Sequence, residues 1–207
     1  MNKFEARSRA SYDRMADGYD STPEGRFCLV FQRKILAAIS SFRGGKVLDV
    51  ACGNGTLLRM IADNYNIDGY GADISEGMIT NAKRLHPKMD FTVAPCDKLP
   101  FCNEYFDLIT VCCAYHHFPS VDAFAKEASR LLKHGATLYI AEIYYPSPVR
   151  VILNPFIPFS QAGDVKFYSP AQIIKTFTKH GLKHIYLQID GHQQILGFQK
   201  AELIIVV

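Results

Sequence analysis

Apolar positions recur at helical spacing through roughly the first forty residues and then change rhythm. Phe4 to Tyr19 mixes charges with Tyr12, Met15, Ala16 and Tyr19, and Glu24 to Ile39 places Phe27, Val30, Phe31, Ile35, Ala38 and Ile39 near one helical face. Ser21-Thr22-Pro23 separates the two, with Pro23 suited to a helix start. From Gly45 onward, short apolar strands alternate with amphipathic helices. Strands are expected at Lys46–Val50, Ile67–Asp73, Met89–Val93, Phe106–Cys113 and Ala136–Glu142. Helices are expected at Thr56–Tyr65, from the Ser75 cap to about Leu85, and at Val121–Leu132, closed by His134-Gly135. Strand–helix alternation of this kind argues for a mostly parallel sheet covered by helices on both faces.

The tail reads differently. Ser169-Pro170-Ala171-Gln172 combines a cap, a proline at the first helical position and a capping-box glutamine, opening a helix to His180 that Gly181 closes. Leu182–Asp190 and Gln194–Phe198 then read as two strands joined across Gly191 and paired antiparallel. The apolar end Leu203-Ile204-Ile205-Val206-Val207 suits either completion of the last strand or an oligomer contact.

Length and composition narrow the function classes. The 207 residues fit a single domain, read as a helical lid (1–42), a core (43–145) and a final segment (146–207). A net charge of +3, with Lys and Arg scattered, points away from nucleic acid. The N-terminus lacks a signal-peptide core, and the longest apolar run, Val149 to Phe159, is short and broken by Pro155 and Pro158, so no stable membrane insertion is expected. The six cysteines show no CxxC pairing. A reducing, cytoplasmic location is the simplest reading of them, and no metal site is read from the sequence. Adjacent Cys112 and Cys113 are expected to point to opposite faces of a strand and to pack.

The chemistry concentrates after the first strand. Asp49-Val50-Ala51-Cys52-Gly53-Asn54-Gly55 joins an acid, small residues at 51, 53 and 55, and a helix start whose N–H groups are free. Asp49 suits a cationic ligand group. A dinucleotide fingerprint needs a third glycine three residues after the second, where Leu58 stands in one register and Thr56 in the other, so an NAD-dependent oxidoreductase is disfavoured. Asp73 ends the next strand eighteen residues after Gly55, where a carboxylate meets both hydroxyls of a ribose.

At these residues the sequence resembles the class I S-adenosylmethionine-dependent methyltransferases, nearest the branch of ubiquinone/menaquinone C-methyltransferases (methyltransferase type 11), strongly over residues 10 to 145. The resemblance implies a Rossmann-like, seven-stranded, mostly parallel sheet with an antiparallel last strand and an N-terminal helical lid. It implies S-adenosylmethionine as cofactor, S-adenosylhomocysteine as product, and methyl transfer by in-line displacement. Cofactor contacts would come from Tyr19, Asp49, Ala51, Cys52, Gly53, Gly55, Asp73, Ile74, Met78, Cys96, Asp97 and Cys112. Ala51 replaces the usual glycine, and Pro95 replaces an acid that relatives direct at adenine. His117, with His116, stands at the strand's carboxyl end as candidate general base. Tyr144 to Phe167, with Phe156 and Phe159, is read as the wall for a small apolar or aromatic acceptor; the absence of an Asn-Pro-Pro-Tyr tetrapeptide argues against a nucleobase amino acceptor. A cofactor-binding module without turnover is the alternative.

Overall fold

The computed structural model describes residues 2–202. Its chain order is α1 (Lys3–Met15), α2 (Pro23–Ala38), β1 (Gly45–Val50), α3 (Thr56–Ala62), β2 (Ile67–Asp73), α4 (Glu76–Leu85), β3 (Asp90–Val93) and β4 (Phe106–Cys112). There follow α5 (Val121–Leu131), β5 (Leu132–Ile143), α6 (Ser147–Leu153), α7 (Pro170–Lys179), β6 (Leu182–Asp190) and β7 (Gln193–Lys200). The caps read from the sequence act at Ser75 and Ser169, each accepting a first-turn N–H, and Ser169 and Gln172 complete a capping box; Thr22 likewise caps α2 ahead of Pro23.

Seven strands form one sheet in the order β3-β2-β1-β4-β5-β7-β6. All neighbours are parallel except β7, which runs antiparallel to both β5 and β6. Alternation along β1 explains the layering. Leu48 and Val50 join Ile109, Val111, Phe124 of α5 and Phe177 of α7 on one face. Val47 joins Phe31 and Ile35 of α2, Leu57 and Ile61 of α3, and Ala82 of α4 on the other. Strand order reverses between β1 and β4, so the carboxyl ends of these two strands open a crevice, where sheets of this kind hold ligands.

Two expectations change. His134-Gly135 does not end α5: the helix stops at Leu131, and β5 starts at Leu132 with Gly135 inside it at φ 77°. The left-handed glycine accompanies a register shift against β4 between Phe106 and Leu108, so it marks a bulge rather than a terminator. The first helix stops at Met15, and Gly18, at φ 75°, leads into a separate turn at Tyr19–Ser21. Residues Leu203 to Val207 lie outside the described residues, so the reading of the apolar end is not tested.

Candidate active site

The lid is tied to the sheet before any ligand is considered. Asp13 Oδ1 accepts hydrogen bonds from Ser75 Oγ (2.6 Å) and Gly77 N (3.0 Å), fastening α1 to the start of α4. These donors hold the Asp13 carboxyl below its usual range despite the opposing effect of burial. Asn54 Nδ2 donates to Ala16 O at 3.3 Å, and Asn81 Nδ2 donates to Asp17 Oδ1 at 3.1 Å.

Beneath the lid lies a cleft with an internal volume of about 110 Å³, open at its mouth. Its floor is the β1–α3 loop. Ala51 sits there at φ 59°, so it keeps the left-handed backbone that a glycine would take, at a strain of about 1 kcal/mol. A Cβ added to Gly53 would meet only Met78 Sδ, at 4.0 Å, so this part of the loop faces open cleft. Asp73 fastens the loop to β2: Oδ2 accepts from Gly53 N and Oδ1 from Ser75 N, both at 2.9 Å.

Two buried acids converge on this floor. Burial pushes the Asp49 carboxyl up to about 7, the Thr110 hydroxyl bond at 2.7 Å opposes the rise, and the charge of Asp73 adds to it. Asp73 is likewise raised by burial, against the pull of its backbone donors. Gln32 Oε1 and Asn54 Oδ1 are buried acceptors without a partner in walls of the same cleft. Acids short of positive charge beside unsatisfied acceptors are what a ligand with an ammonium and hydroxyls would satisfy. This set of acceptors therefore fits an amino-acid-bearing nucleoside such as S-adenosylmethionine, whose ammonium and hydroxyls donate.

Of the residues singled out from sequence, Tyr19, Asp49, Ala51, Cys52, Gly53, Asp73, Ile74, Met78, Cys96, Cys112 and His117 line the cleft. Gly55, Asp97 and His116 are not among its lining residues. Gly55 serves packing instead: at φ 80°, an added Cβ would lie 2.8 Å from Phe91 Cζ. Cys112 and Cys113 both line the cleft, because Cys113 takes a left-handed φ of 52° just past β4 and ends the strand's alternation. Phe156 and Phe159 are 69% and 80% exposed and do not line the cleft, so the expected aromatic wall is not formed by them. Further lining comes from Ser8 and Tyr12 of α1, Cys28 and Gln32 of α2, and Ala114, His117, Phe118 and Pro119 after β4. Cys28 and Gln32 were legible only as two polar positions four apart between the apolar residues of α2.

Behind this lining runs a buried polar chain. Tyr12 Oη and His117 Nε2 are hydrogen-bonded at 3.1 Å. His117 Nδ1 lies 3.0 Å from Asp164 Oδ1, and His116 Nε2 lies 3.5 Å from the same oxygen. His116 Nδ1 reaches Glu142 Oε1 at 2.9 Å. Burial pushes the His117 imidazole below its usual value, with the neighbouring His116 adding to the fall. Burial also opposes charge on His116, but Glu142 outweighs it and the net shift is upward. The Asp164 carboxyl resists burial through His117 and stays low, at about 2.

Residues 48–140 match the methyltransferase domain model. The chain is 30% identical to a demethylmenaquinone methyltransferase of Renibacterium salmoninarum, over 72% of this chain and 64% of that protein. In sequence the chain is similar to the class I S-adenosylmethionine-dependent methyltransferases. A Chlorobaculum parvum demethylmenaquinone methyltransferase is 27% identical over 98% of this chain and 88% of its own length. The ubiquinone/menaquinone biosynthesis C-methyltransferase of Chromobacterium violaceum is 35% identical over 56% and 49%. The chain spans about half to two thirds of the length of most of its curated relatives. In fold it matches a methyltransferase-type chain solved in complex with the Trm112 activator of Haloferax volcanii (TM-score 0.78, 22% identity, 95% of this chain and 98% of that one). It also matches a Haemonchus contortus phosphoethanolamine N-methyltransferase solved with S-adenosylhomocysteine (TM-score 0.68, 15% identity, 83% and 52%). Among the described residues, no helix is long and apolar enough to cross a membrane.

Proposed function

We propose that this protein transfers a methyl group from S-adenosylmethionine to a small aromatic acceptor that carries a hydroxyl, the class to which the quinone-directed names of its relatives point. The observation that carries the cofactor half is the pair of buried acids, Asp49 and Asp73, at adjacent strand ends on one cleft floor. S-adenosylmethionine supplies a methyl group already activated by its sulfonium, so the chain need only align, dehydrate and manage a proton. Asp73 serves the ribose hydroxyls, with Ile74 and Met78 bordering the base and Cys96 offering backbone beside it. Asp49 and Gln32 Oε1 serve the ammonium, and Tyr19 closes the lid side. His117 Nε2, paired with Tyr12 Oη, is the group an acceptor hydroxyl would reach. Its lowered basicity keeps it neutral and able to accept a proton at neutral pH.

The test is calorimetry with S-adenosylhomocysteine, followed by S-adenosylhomocysteine release with a panel of naphthols and reduced quinones. Micromolar binding, lost in Asp73→Ala, together with turnover reduced about 100-fold or more in His117→Ala, is expected. Binding without turnover on any acceptor would leave a binding module instead. Preference for NAD would remove the cofactor assignment.

A further inference from the structure

Two histidine nitrogens and a carboxylate oxygen converge behind the cleft wall, and the nitrogens' other partners are already assigned. His116 Nδ1 is held by Glu142, leaving Nε2 directed at Asp164 Oδ1. His117 Nε2 is held by Tyr12, leaving Nδ1 directed at the same oxygen. His117 Nδ1 is fully buried and makes no well-directed hydrogen bond, although Asp164 Oδ1 is only 3.0 Å away. The contact has the length of a hydrogen bond without its direction.

The spacings suit an ion. With bonds of about 2.1 Å, two ligands on a metal stand about 3.0 Å apart at a right angle and about 3.4 Å apart at the tetrahedral angle. The two nitrogen-to-oxygen spacings are 3.0 and 3.5 Å, and all three ligand atoms lie within 4.8 Å of one another. Each imidazole also has an outer partner that fixes which nitrogen is presented, Glu142 for His116 and Tyr12 for His117, as histidine ligands commonly do. With both imidazoles neutral, Asp164 and Glu142 leave the cluster two negative charges. Backbone links keep it together, since Val165 N donates to His116 O at 2.8 Å.

We propose that His116 Nε2, His117 Nδ1 and Asp164 Oδ1 bind a divalent first-row transition metal, of which Zn²⁺ is the type, pinning the turn after β4 to the loop at Asp164. A set of two imidazoles and one carboxylate selects such ions over Mg²⁺ or Ca²⁺, which take oxygen ligands. With Nδ1 on the ion, the proton of the neutral His117 imidazole sits on Nε2 and is donated to Tyr12 Oη, so the ion braces this turn from behind and the loaded state excludes proton uptake by His117 Nε2. Metal binding is read directly, without cofactor or acceptor, so its failure and the failure of the methyl-transfer reading are distinguishable.

The experiment titrates Zn²⁺, and separately Co²⁺, into the chelator-stripped full chain. One ion per chain, a Co²⁺ spectrum without a thiolate charge-transfer band, and a higher Tm with Zn²⁺ than with chelator are expected. Asp164→Ala and His117→Ala should each weaken Zn²⁺ binding by more than about 100-fold, beyond the roughly 10–100-fold typical of losing an outer partner, which is the effect expected for Glu142→Gln. Asp164→Asn, which keeps the side chain's shape, serves if the alanine variant does not fold. Absence of binding would show that only protons hold the cluster, and would overturn the proposal. So would Zn²⁺ binding that ignores Asp164 and His117, a thiolate band implicating Cys28, Cys112 or Cys113, or equal binding of Ca²⁺.

Discussion

If Asp49 serves the ammonium as proposed, it does so at the expense of the fold, and that trade can be measured. The carboxyl is fully buried, accepts one hydrogen bond from Thr110 and sits near the second acid, Asp73. Its pKa rises from 3.8 to about 7 on folding. A raised carboxyl pKa means that the folded state binds the proton more tightly. The associated stability is full below about pH 4 and is lost as pH climbs to about 7. A displacement of about three pH units corresponds to about 4 kcal/mol between the acid and neutral limits. In Asp49→Asn the side chain keeps its shape and can still accept from Thr110, but its amide N–H groups lack partners, costing about 1–3 kcal/mol. Above pH 7 the ligand-free variant should therefore be more stable than the parent by about 1–3 kcal/mol, a Tm gain of roughly 2–10 °C. At pH 5 only about 1.5 kcal/mol of the penalty has developed, so the gain should vanish or reverse. Thermal unfolding of both proteins at pH 5 and pH 8, paired with S-adenosylhomocysteine calorimetry, tests the trade. The variant should bind at least tenfold more weakly while melting higher at pH 8. A lower Tm at pH 8 with ligand affinity intact would refute the placement of Asp49 beneath the ammonium.

Two further changes probe the loop. Ala51→Gly should leave S-adenosylhomocysteine affinity within about twofold by calorimetry, because Ala51 already holds a left-handed φ of 59°. A tenfold gain would mean that alanine distorts the loop. Gly55→Ala should lower Tm by roughly 4–12 °C, combining left-handed strain with a clash against the buried Phe91 ring, an estimated 2–4 kcal/mol in all. Below its transition it should still bind ligand; lost affinity at unchanged Tm would return Gly55 to the contact set.

The core of the fold was legible because its signals are local. Alternating apolar strands, the Ser75 cap and the capping box at Ser169 each act within a few residues, and the structure places them where the sequence does. Asp49 and Asp73 were readable for the same reason: Asp49 lies one residue before the end of β1 and Asp73 ends β2, and the parallel pairing of these strands brings the two acids together. His134-Gly135 misled because a left-handed glycine serves a bulge as readily as a helix end, and only pairing with β4 distinguishes them. Phe156 and Phe159 misled because an aromatic, proline-rich run has no period to say which way it faces. The chain through Tyr12, His117, Asp164, His116 and Glu142 spans 130 residues of sequence between its ends, and only the sheet's closure on α1 and the Asp164 loop assembles it. The sequence by itself determined the strand-end acids, because local hydrogen bonding and burial place them. The buried cluster was decided by tertiary structure, because only the adjacent His116 and His117 share a turn, while Tyr12, Glu142 and Asp164 come from distant parts of the chain.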